Sequence, residues 1–163
     1  MTMAMNRTLL AATVALGLGL GVAAVAQNRP GVSGQPIGYG ADNGELTNTA
    51  ISLRGRAEIQ QGDNRLRANA IEGARDAGGG LSRIEASGDV YFVTPTQTIR
   101  GDRAVYTPAN DTIVLTGDVI LTQGQNVLTG GRLTYNVDSG AARIEGGSSD
   151  RVQGVFYPEG SAN

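Results

Sequence analysis

The sequence predicts an all-β fold made of repeated long hairpins, and three observations carry that prediction. Apolar and polar residues alternate with a period of two after Leu46, as in strands that bury one face. Similar passages return at a regular interval along the chain, which is typical of stacked repeats. Helical periodicity is absent after residue 27, and glycines disfavour a helix in the segment nearest to a helix former, "LRANAIEGARDAGGG".

The first 26 residues are interpreted as a secretory signal peptide. Arg7 precedes an apolar run from Leu9 to Ala24, and small residues end the segment at Ala24-Val25-Ala26. The alternative is a permanent membrane anchor, but about 16 apolar residues interrupted by glycines are short against the roughly 20 that a spanning helix needs. We therefore expect cleavage before Gln27 and export of the mature chain.

The rest of the chain divides into three parts. Residues 27–45 are rich in Gly, Pro, Ser and Asn without apolar periodicity, so they are interpreted as a flexible leader. Residues 46–158 carry the alternation and form the predicted β-domain, and residues 159–163 form a polar tail. A total of 163 residues fits one domain rather than two.

Four aligned passages make up the predicted β-domain, and the last of them is shortened. They begin at Ile51, Ile84, Ile113 and Ala142, and equivalent places hold Gly55, Gly88, Gly117 and Gly146. In each copy one face of the strand stays apolar and the other is mostly polar. Because no copy buries its apolar face alone, stacked copies are expected to bury one another.

Each full passage is predicted to be a hairpin. The turns fall at "QGDN", "TPTQ" and "QGQN", where Gly, Pro and Asn supply the backbone angles of a tight turn. In the return strands Ile99 and Leu128 lie on one parity, whereas the later apolar residues lie on the other. A bulge at Gly101 and Gly130 reconciles the two parities. Two tyrosines end these strands, where core-edge packing is expected: Tyr106 and Tyr135.

Composition excludes several classes of function. The chain has no cysteine and no histidine, so disulfide frameworks, thiolate metal sites and Ser-His-Asp or Cys-His catalysis are excluded. Thirteen basic residues, all arginine, stand against fifteen acidic ones, so no basic surface for nucleic acid is indicated. We expect neither a cofactor nor a nucleic-acid partner.

Carboxylate chemistry is also disfavoured. Three recurring aspartates are conceivable calcium ligands, but the dense Gly-Gly-x-Gly-x-Asp run of calcium-binding repeats is missing: Asp89, Asp102 and Asp118. Two pairs are candidates for glycoside hydrolysis on spacing alone, although strand parity puts the first on the outer face: Glu85 with Asp89, and Glu58 with Asp63. The chain is therefore predicted not to be an enzyme and not to bind a metal.

An arginine cluster allows two interpretations. It consists of Arg54, Arg56, Arg65 and Arg67. Guanidinium groups bind phosphate in a forked geometry, so the cluster is a candidate site for lipid phosphates or an acidic partner. Nearby acidic residues favour the other interpretation, a solvated face with cross-strand ion pairs: Glu58, Asp63 and Glu72.

Several passages of the β-domain resemble a known family. The features are Gly-Asp-Val strand starts at Gly88 and Gly117, "NVLTGGRLTYNVDSGAARIEGG" from Asn126, and the closing "RVQGVFYP" from Arg151. From about Leu46 to Pro158 the chain is similar to the OstA-like, or LptA-like, periplasmic proteins of lipopolysaccharide transport. One difference is that the first repeat has small apolar residues, Ala57, Ala68 and Ala70, so its end of a groove is expected to be narrower or wetter.

The resemblance implies a fold and a function. The fold is a β-jellyroll of two antiparallel sheets set in an open V, with lipid A acyl chains held in an apolar groove between them. Copies of the protein join end to end through their edge strands. The chain of copies links an LptC-like protein anchored in the inner membrane to an LptD-like outer-membrane translocon, so that lipopolysaccharide crosses the periplasm.

Candidate site residues follow from the apolar face and the strand ends. The residues expected to line the lipid groove, rather than a dry closed core, are Ile84, Val90, Phe92, Ile113, Leu115, Val119, Leu121 and Ile144. The residues expected on partner edge strands are Ile51, Leu53, Ile59, Val152, Val155 and Phe156.

Two alternatives stay open at this point. One is the anchored LptC-like member of the same system, which would keep its apolar N-terminus. The other is an exported structural repeat protein that assembles by strand addition without lipid cargo. Strand addition serves both a lipid bridge and a structural assembly, so only the presence of cargo distinguishes them.

Overall fold

The computed structural model describes residues 35–147 and 151–158. The predicted signal peptide, the first part of the predicted leader and the polar tail lie outside the described residues. Within the described ranges, almost all of the chain is β-strand, with one turn of 3-10 helix at Pro108–Asn110. No helix in this part of the chain is long and apolar enough to cross a membrane.

Ten strands in the described ranges form one antiparallel sheet that follows the order of the sequence. They are β1 (Ile37–Gly40), β2 (Asn43–Leu46), β3 (Ala50–Gln61), β4 (Asn64–Arg75), β5 (Leu81–Val93), β6 (Thr98–Thr107), β7 (Thr112–Gln123), β8 (Asn126–Asn136), β9 (Ala142–Glu145) and β10 (Gln153–Val155). The pairs β3–β4, β5–β6 and β7–β8 are long hairpins whose turns lie where the sequence predicts them. The all-β fold of repeated hairpins is therefore confirmed.

A line of β-bulges crosses all six long strands, and we call it the corner line. Along it the register shifts between each pair of neighbours, from Arg54/Ala57 on β3 to Thr116/Val119 on β7. The inserted residues are Gly55-Arg56, Gly88-Asp89 and Gly117-Asp118, all with positive φ. The predicted parity change of the return strands is found at this line, where Gly101 pairs with Val90 and Gly130 with Val119.

The corner line divides the sheet into two arms. Arm A holds the hairpin-turn ends of β3 to β8, with β1 and β10 at its edges, and arm B holds their other ends, with β2 and β9 at its edges. The aromatic rings of Phe92 on arm A and Tyr135 on arm B meet with centroids 5.4 Å apart. The two antiparallel sheets implied by the resemblance are thus present, as two arms of one continuous hydrogen-bonded sheet.

The core lies between the arms. Small buried residues lie beside the corner line, where the arms converge: Ala57, Ala68, Ala86, Gly101 and Ala104. Larger buried residues lie both beside the corner line, as Val90, Leu115 and Val119 do, and farther out: Ile84, Phe92, Ile99, Ile113 and Tyr135. Ala86, Gly101 and Ala104 belong to the second copy, so small residues beside the corner line are not confined to the first repeat. Within the described ranges no polar or charged residue is buried.

Two features differ from the sequence prediction. The Gly-Asp-Val segments at Gly88 and Gly117 are not strand starts but lie in the middle of β5 and β7, because their positive φ angles bend a strand without ending it. Part of the predicted leader, from residue 37 onward, forms β1 and β2. This segment is held by backbone pairing to β3 and by the Asp42 carboxylate, which accepts hydrogen bonds from Arg56.

The fourth repeat is a strand that breaks at the corner line. β9 pairs with β8 on arm B and ends at Glu145, and β10 pairs with β8 on arm A. The connection between them includes residues outside the described ranges. Gly146 lacks the positive φ of the three glycines with which the sequence aligns it. The other end of the sheet has the same design, since β1 lies on arm A and β2 on arm B.

Candidate functional site

An apolar cavity lies between the two arms and carries the candidate site. Its volume is about 40 Å³. It is lined by Ile37, Ile59, Gln61, Asn64, Leu66 and Phe92 of arm A and its turn, and by Ile84, Tyr106, Ile113 and Val137 of arm B. The lining is almost wholly apolar, so this space suits a hydrocarbon ligand rather than a polar one.

The predicted groove residues all point to the interior, but at different depths. Ile84, Phe92 and Ile113 line the cavity. Val90, Leu115 and Val119 lie next to the corner line and have 0% exposure, so no ligand reaches them while the arms are closed. Two more complete the set: Leu121, which is buried, and Ile144, which is half-buried on β9.

Other cavity residues were not predicted to line a groove. The sequence predicts a partner edge for Ile59 and a leader for Ile37, and it predicts no role for Leu66 or Val137. Ile59 and Leu66 share the apolar face of the first hairpin, where they pair directly. The turn that the sequence predicts at "QGDN" places these two residues opposite each other, so the sequence does contain a signal for both. Ile37 gives no such signal, because the strand that carries it is short and otherwise made of glycine and tyrosine.

Two tyrosines of arm B have raised pKa values. The Tyr106 hydroxyl donates a hydrogen bond of 3.1 Å to the Asp111 carboxylate. Burial, and then that hydrogen bond, raise the pKa of Tyr106 to about 12. Burial also raises the pKa of Tyr135, and a contact between its hydroxyl and Thr94 of arm A opposes the shift. Both side chains therefore stay neutral in the folded protein at ordinary pH.

The sheet has two open ends, and they correct part of the edge prediction. Ile51, Leu53 and Ile59 lie on β3, which is not an edge, because β1 and β2 cover it: Tyr39 pairs with Ile59, and Leu46 with Ile51. At the opposite end, β10 is an edge strand. Val155 lies on the edge strand β10, and two exposed neighbours flank that strand: Val152 and Phe156.

Exposed apolar side chains concentrate at these two ends. At one end they belong to β1 and β2: Ile37, Tyr39 at 58% exposure, and Leu46. At the other end they belong to β10 and its flanks: Val152, Val155, Phe156 at 74% exposure, and Tyr157. An edge strand with free backbone groups and apolar side chains is a template for adding another strand. Tyr91 on the outer face of arm A is the remaining large exposed apolar side chain among the described residues.

The arginine cluster forms ion pairs on the outer surface. Arg54 pairs with Glu72 at 3.0 Å, and both Arg65 and Arg67 approach Glu58. Arg56 pairs with Asp42, and this hydrogen bond holds the pKa of the Asp42 carboxyl below its usual range. The interpretation as a solvated, ion-paired face is favoured, and such exposed pairs add little stability.

The candidate carboxylates do not assemble into a reactive site. Glu58 is paired with arginines, Glu85 with Arg83 and Asp89 with Arg100, on the face away from the cavity. In residues 35–147 and 151–158, no group of three or more His, Cys, Asp or Glu residues is arranged to hold a metal ion.

Comparisons with known proteins place the fold among related chains. Residues 23–141 match the family model described as LptA/(LptD N-terminal domain) LPS transport protein. An uncharacterised protein of Rhizobium meliloti (strain 1021) is 30% identical over 136 residues, which span 77% of this chain and 73% of the relative. The crystal structure of LptH, the LptA-homologous periplasmic component of the lipopolysaccharide transport device of Pseudomonas aeruginosa, superposes with a TM-score of 0.71. That match has 19% identity and covers 79% of this chain and 100% of LptH, so it establishes a shared fold.

Proposed function

The chain belongs to the family of lipopolysaccharide transport proteins that includes LptA and the N-terminal domain of LptD, and on that basis we propose that it is a periplasmic bridge for lipopolysaccharide. In this proposal the space between the arms holds lipid A acyl chains, and copies of the protein join end to end. The observation that carries the proposal is the apolar cavity between the two arms of a family member.

The physics of the cavity supports acyl chains as the ligand. Each methylene moved out of water contributes about 0.8 kcal/mol, so several acyl chains are held firmly in an apolar trough. The hydrophobic effect has no preferred direction, so a chain held in this way still slides along the trough. Of the predicted groove residues, those beside the cavity make first contact: Ile84, Phe92 and Ile113. The deeper ones make contact only when the arms separate.

The two open ends of the sheet support end-to-end assembly. β1 and β2 at one end, and β9 and β10 at the other, offer backbone hydrogen-bonding groups on both arms. A second copy adds its strands at such an edge, and exposed apolar side chains on both ends cover one another. The same edges serve an LptC-like protein at the inner membrane and an LptD-like translocon at the outer membrane. The predicted cleavable signal peptide delivers the protein to the periplasm, and the role requires no catalysis.

Site-specific photocrosslinking tests the proposal. A photoreactive residue replaces Phe92 in living Gram-negative cells, and the purified protein is probed for a lipopolysaccharide adduct. The matched control is Tyr91, the next residue, whose side chain lies on the outer face of the same strand. We expect an adduct at Phe92 and none at Tyr91. No adduct at Phe92, in a protein that is folded and abundant, contradicts the proposal and favours the structural repeat protein without cargo.

A further inference from the structure

The corner line repeats one local structure in three successive hairpins. The two inserted residues lie in the left-handed region each time: Gly55 at φ 75° and Arg56 at 46°, Gly88 at 76° and Asp89 at 47°, and Gly117 at 79° and Asp118 at 38°. Non-glycine residues adopt this region at a cost, and they keep it only where the surrounding structure demands it. Three copies of the same conformation on one line indicate a device, not an accident of packing.

A polar side chain lies against each of these glycines. A Cβ atom would come 2.6 Å from the Asp42 Oδ2 atom at Gly55, 2.7 Å from the Asn69 Nδ2 atom at Gly88, and 2.8 Å from the Asp102 Cβ atom at Gly117. Asp42 precedes β2, Asn69 lies on β4 and Asp102 lies on β6. Each of these side chains therefore comes from the segment that precedes the glycine's own strand, β3, β5 or β7. We call these three side chains the corner wedges, since each fills the notch that a glycine leaves.

Away from the corner line, apolar contacts hold the arms together. Among the described residues, the side-chain hydrogen bonds and ion pairs lie within one arm or beside the corner line, apart from the contact of the Tyr135 hydroxyl with Thr94. The facing pair Phe92 and Tyr135 is of the apolar kind. Apolar contacts lack a preferred direction and tolerate sliding and separation better than a network of hydrogen bonds. Each arm by itself is held by continuous ladder pairing.

The closed cavity is too small for the proposed ligand. A space of about 40 Å³ is small beside an acyl chain, which has many methylene groups. The arms must separate before lipid enters, and the ladder of each arm has to survive that separation. The corner line is the place where the chain bends with the fewest ladder hydrogen bonds, since the residues inserted at a bulge are left unpaired.

We propose that the corner line is a hinge about which arm A and arm B turn as two stiff plates, and that the corner wedges set the closed angle. Opening increases the distance between Phe92 of arm A and Tyr135 of arm B, while the strand pairing inside each arm is kept. The role of opening in lipid uptake rests on the proposed function, but the hinge motion does not, because it is a property of the protein without lipid.

Distances between pairs of spin labels test the motion directly. The chain has no native cysteine, so labels attach only where cysteines are introduced. The cross-arm pair is Thr96→Cys, in a turn of arm A, with Ser139→Cys, in a loop of arm B, and both sites are exposed. The control pair is Thr96→Cys with Asp63→Cys, which lies in another turn of arm A. Pulsed electron spin resonance gives the distance distribution of each pair.

The lipid-free measurement tests the hinge independently of function. The double variant Asn69→Ala, Asp102→Ala removes two corner wedges from exposed positions. We expect it to broaden the cross-arm distribution towards longer distances and to leave the control pair unchanged, which also shows that arm A is folded. Asp138→Ala, an exposed change away from the corner line, is the matched variant and leaves both distributions unchanged. An unaltered cross-arm distribution in the double variant, or equal broadening of both pairs, overturns the hinge.

A second measurement links the hinge to uptake. The two cysteines of the cross-arm pair are joined by a short bis-maleimide, and purified lipopolysaccharide is crosslinked to a photoreactive residue at Phe92. We expect the clamp to abolish the adduct, whereas a clamp on the control pair leaves it intact. An adduct that forms equally well in the clamped protein shows that uptake needs no opening and overturns that role of the hinge. Absence of any adduct without a clamp counts against the proposed function instead, and the lipid-free distances still decide the motion.

Discussion

Gly88 is glycine for two separate reasons. Its φ of 76° lies in the left-handed region, which residues with a Cβ adopt at a cost of roughly 1–2 kcal/mol. In addition, a Cβ there would lie 2.7 Å from the side chain of Asn69. Gly124 shares only the first reason, since its φ is 58° and nothing lies within 4 Å. Gly40 has neither constraint.

These three glycines allow the backbone and steric contributions to be separated. We expect Gly40→Ala to leave the free energy of unfolding nearly unchanged and Gly124→Ala to lower it by about 1 kcal/mol. Gly88→Ala should lower it by about 1–2 kcal/mol more, because Asn69 must move. Urea unfolding of the three variants provides the measurement. Equal losses for Gly88→Ala and Gly124→Ala would show that the contact with Asn69 contributes nothing.

Tyr106 gives the stability of the protein a dependence on high pH. Its pKa is raised from 10.0 to about 12 in the folded protein. A raised pKa means that the folded state holds the proton more tightly, so this stabilisation is complete below about pH 10 and disappears as pH rises through about 12. Tyr106→Phe should remove that part of the pH dependence, whereas the contribution of Tyr135 remains.

The measurement is the free energy of unfolding from pH 8 to about 12, compared between the wild type and Tyr106→Phe. Asp111→Asn serves as a partial control, because the Asp111 carboxylate is the second cause of the shift, after burial. It should lower the pKa of Tyr106 without abolishing the shift. An unchanged slope in the phenylalanine variant would contradict the assignment.

Strand parity, and with it the inward direction of each groove candidate, is predictable from the sequence. Every predicted groove residue lies on the interior face, because alternation reports which side of a sheet a residue takes. Alternation says nothing of depth, however. Leu115 and Phe92 are equivalent by pattern, yet one lies against the corner line with 0% exposure and the other lines the cavity. Depth depends on the position of the bend, which the sequence pattern does not show directly.

The sequence pattern does not predict the two short strands β1 and β2, and the reason is physical. β1 reads "IGYG" and β2 reads "NGEL", and all of their residues are exposed. Without a buried face they show no alternation, and their glycines are typical of a loop. Their strand structure comes from β3, which offers a paired edge, and from the Asp42–Arg56 interaction. Tertiary context decides the conformation of such segments.

Asp42 is predicted to hold this edge locally, with little effect on the rest of the fold. In Asp42→Ala the hydrogen bonds from Arg56 are lost, so we expect faster amide exchange in β2. The free energy of global unfolding should change little, as for other exposed ion pairs. Hydrogen exchange followed by NMR is the measurement, and Arg56→Gln should reproduce the effect from the other partner. Unaltered exchange in both variants would show that backbone pairing alone holds β2.

The same interaction has a dependence on low pH. The pKa of Asp42 is lowered, first by its hydrogen bond with Arg56. A lowered pKa means that the contribution is present above the ordinary value of 3.8 and is lost as pH falls through the lowered folded value. We therefore expect β2 to open in acid in the wild type. In Asp42→Ala, which lacks this interaction, lowering the pH should cause no further opening of β2.

At the scale of the whole molecule, the predictions of the fold and of the family can be compared with the assembled sheet. The repeats predict both the all-β fold and the resemblance to the LptA-like family, and both are confirmed. The sequence does not predict the bend as one continuous line across the sheet. Gly101 and Gly130 suggested a bulge in two return strands, whereas the structure has a register shift at every pair of long strands. Only the alignment of neighbouring strands turns separate bulges into a corner.

Assembly through the open ends is expected to depend on β10. Val155→Lys puts a charge on an exposed edge position, a device that blocks strand addition in natural sheets. We expect it to shift the protein from concentration-dependent oligomers to monomers, measured by light scattering during gel filtration. Tyr91→Lys is the matched control, since Tyr91 is exposed but lies away from both ends. If the wild type stays monomeric at all concentrations, or if both variants behave alike, assembly through β10 is wrong.

The sequential order of strands also has a consequence for how the chain acquires its structure. From β3 to β8 every strand pairs with the next one along the chain. Each pairing therefore closes a short loop, and short loops carry a small entropic penalty. All-β proteins usually fold slowly because they join distant segments. A chain threaded from one end through a narrow pore can instead add one hairpin at a time to a growing stack, so that little apolar surface waits unpaired.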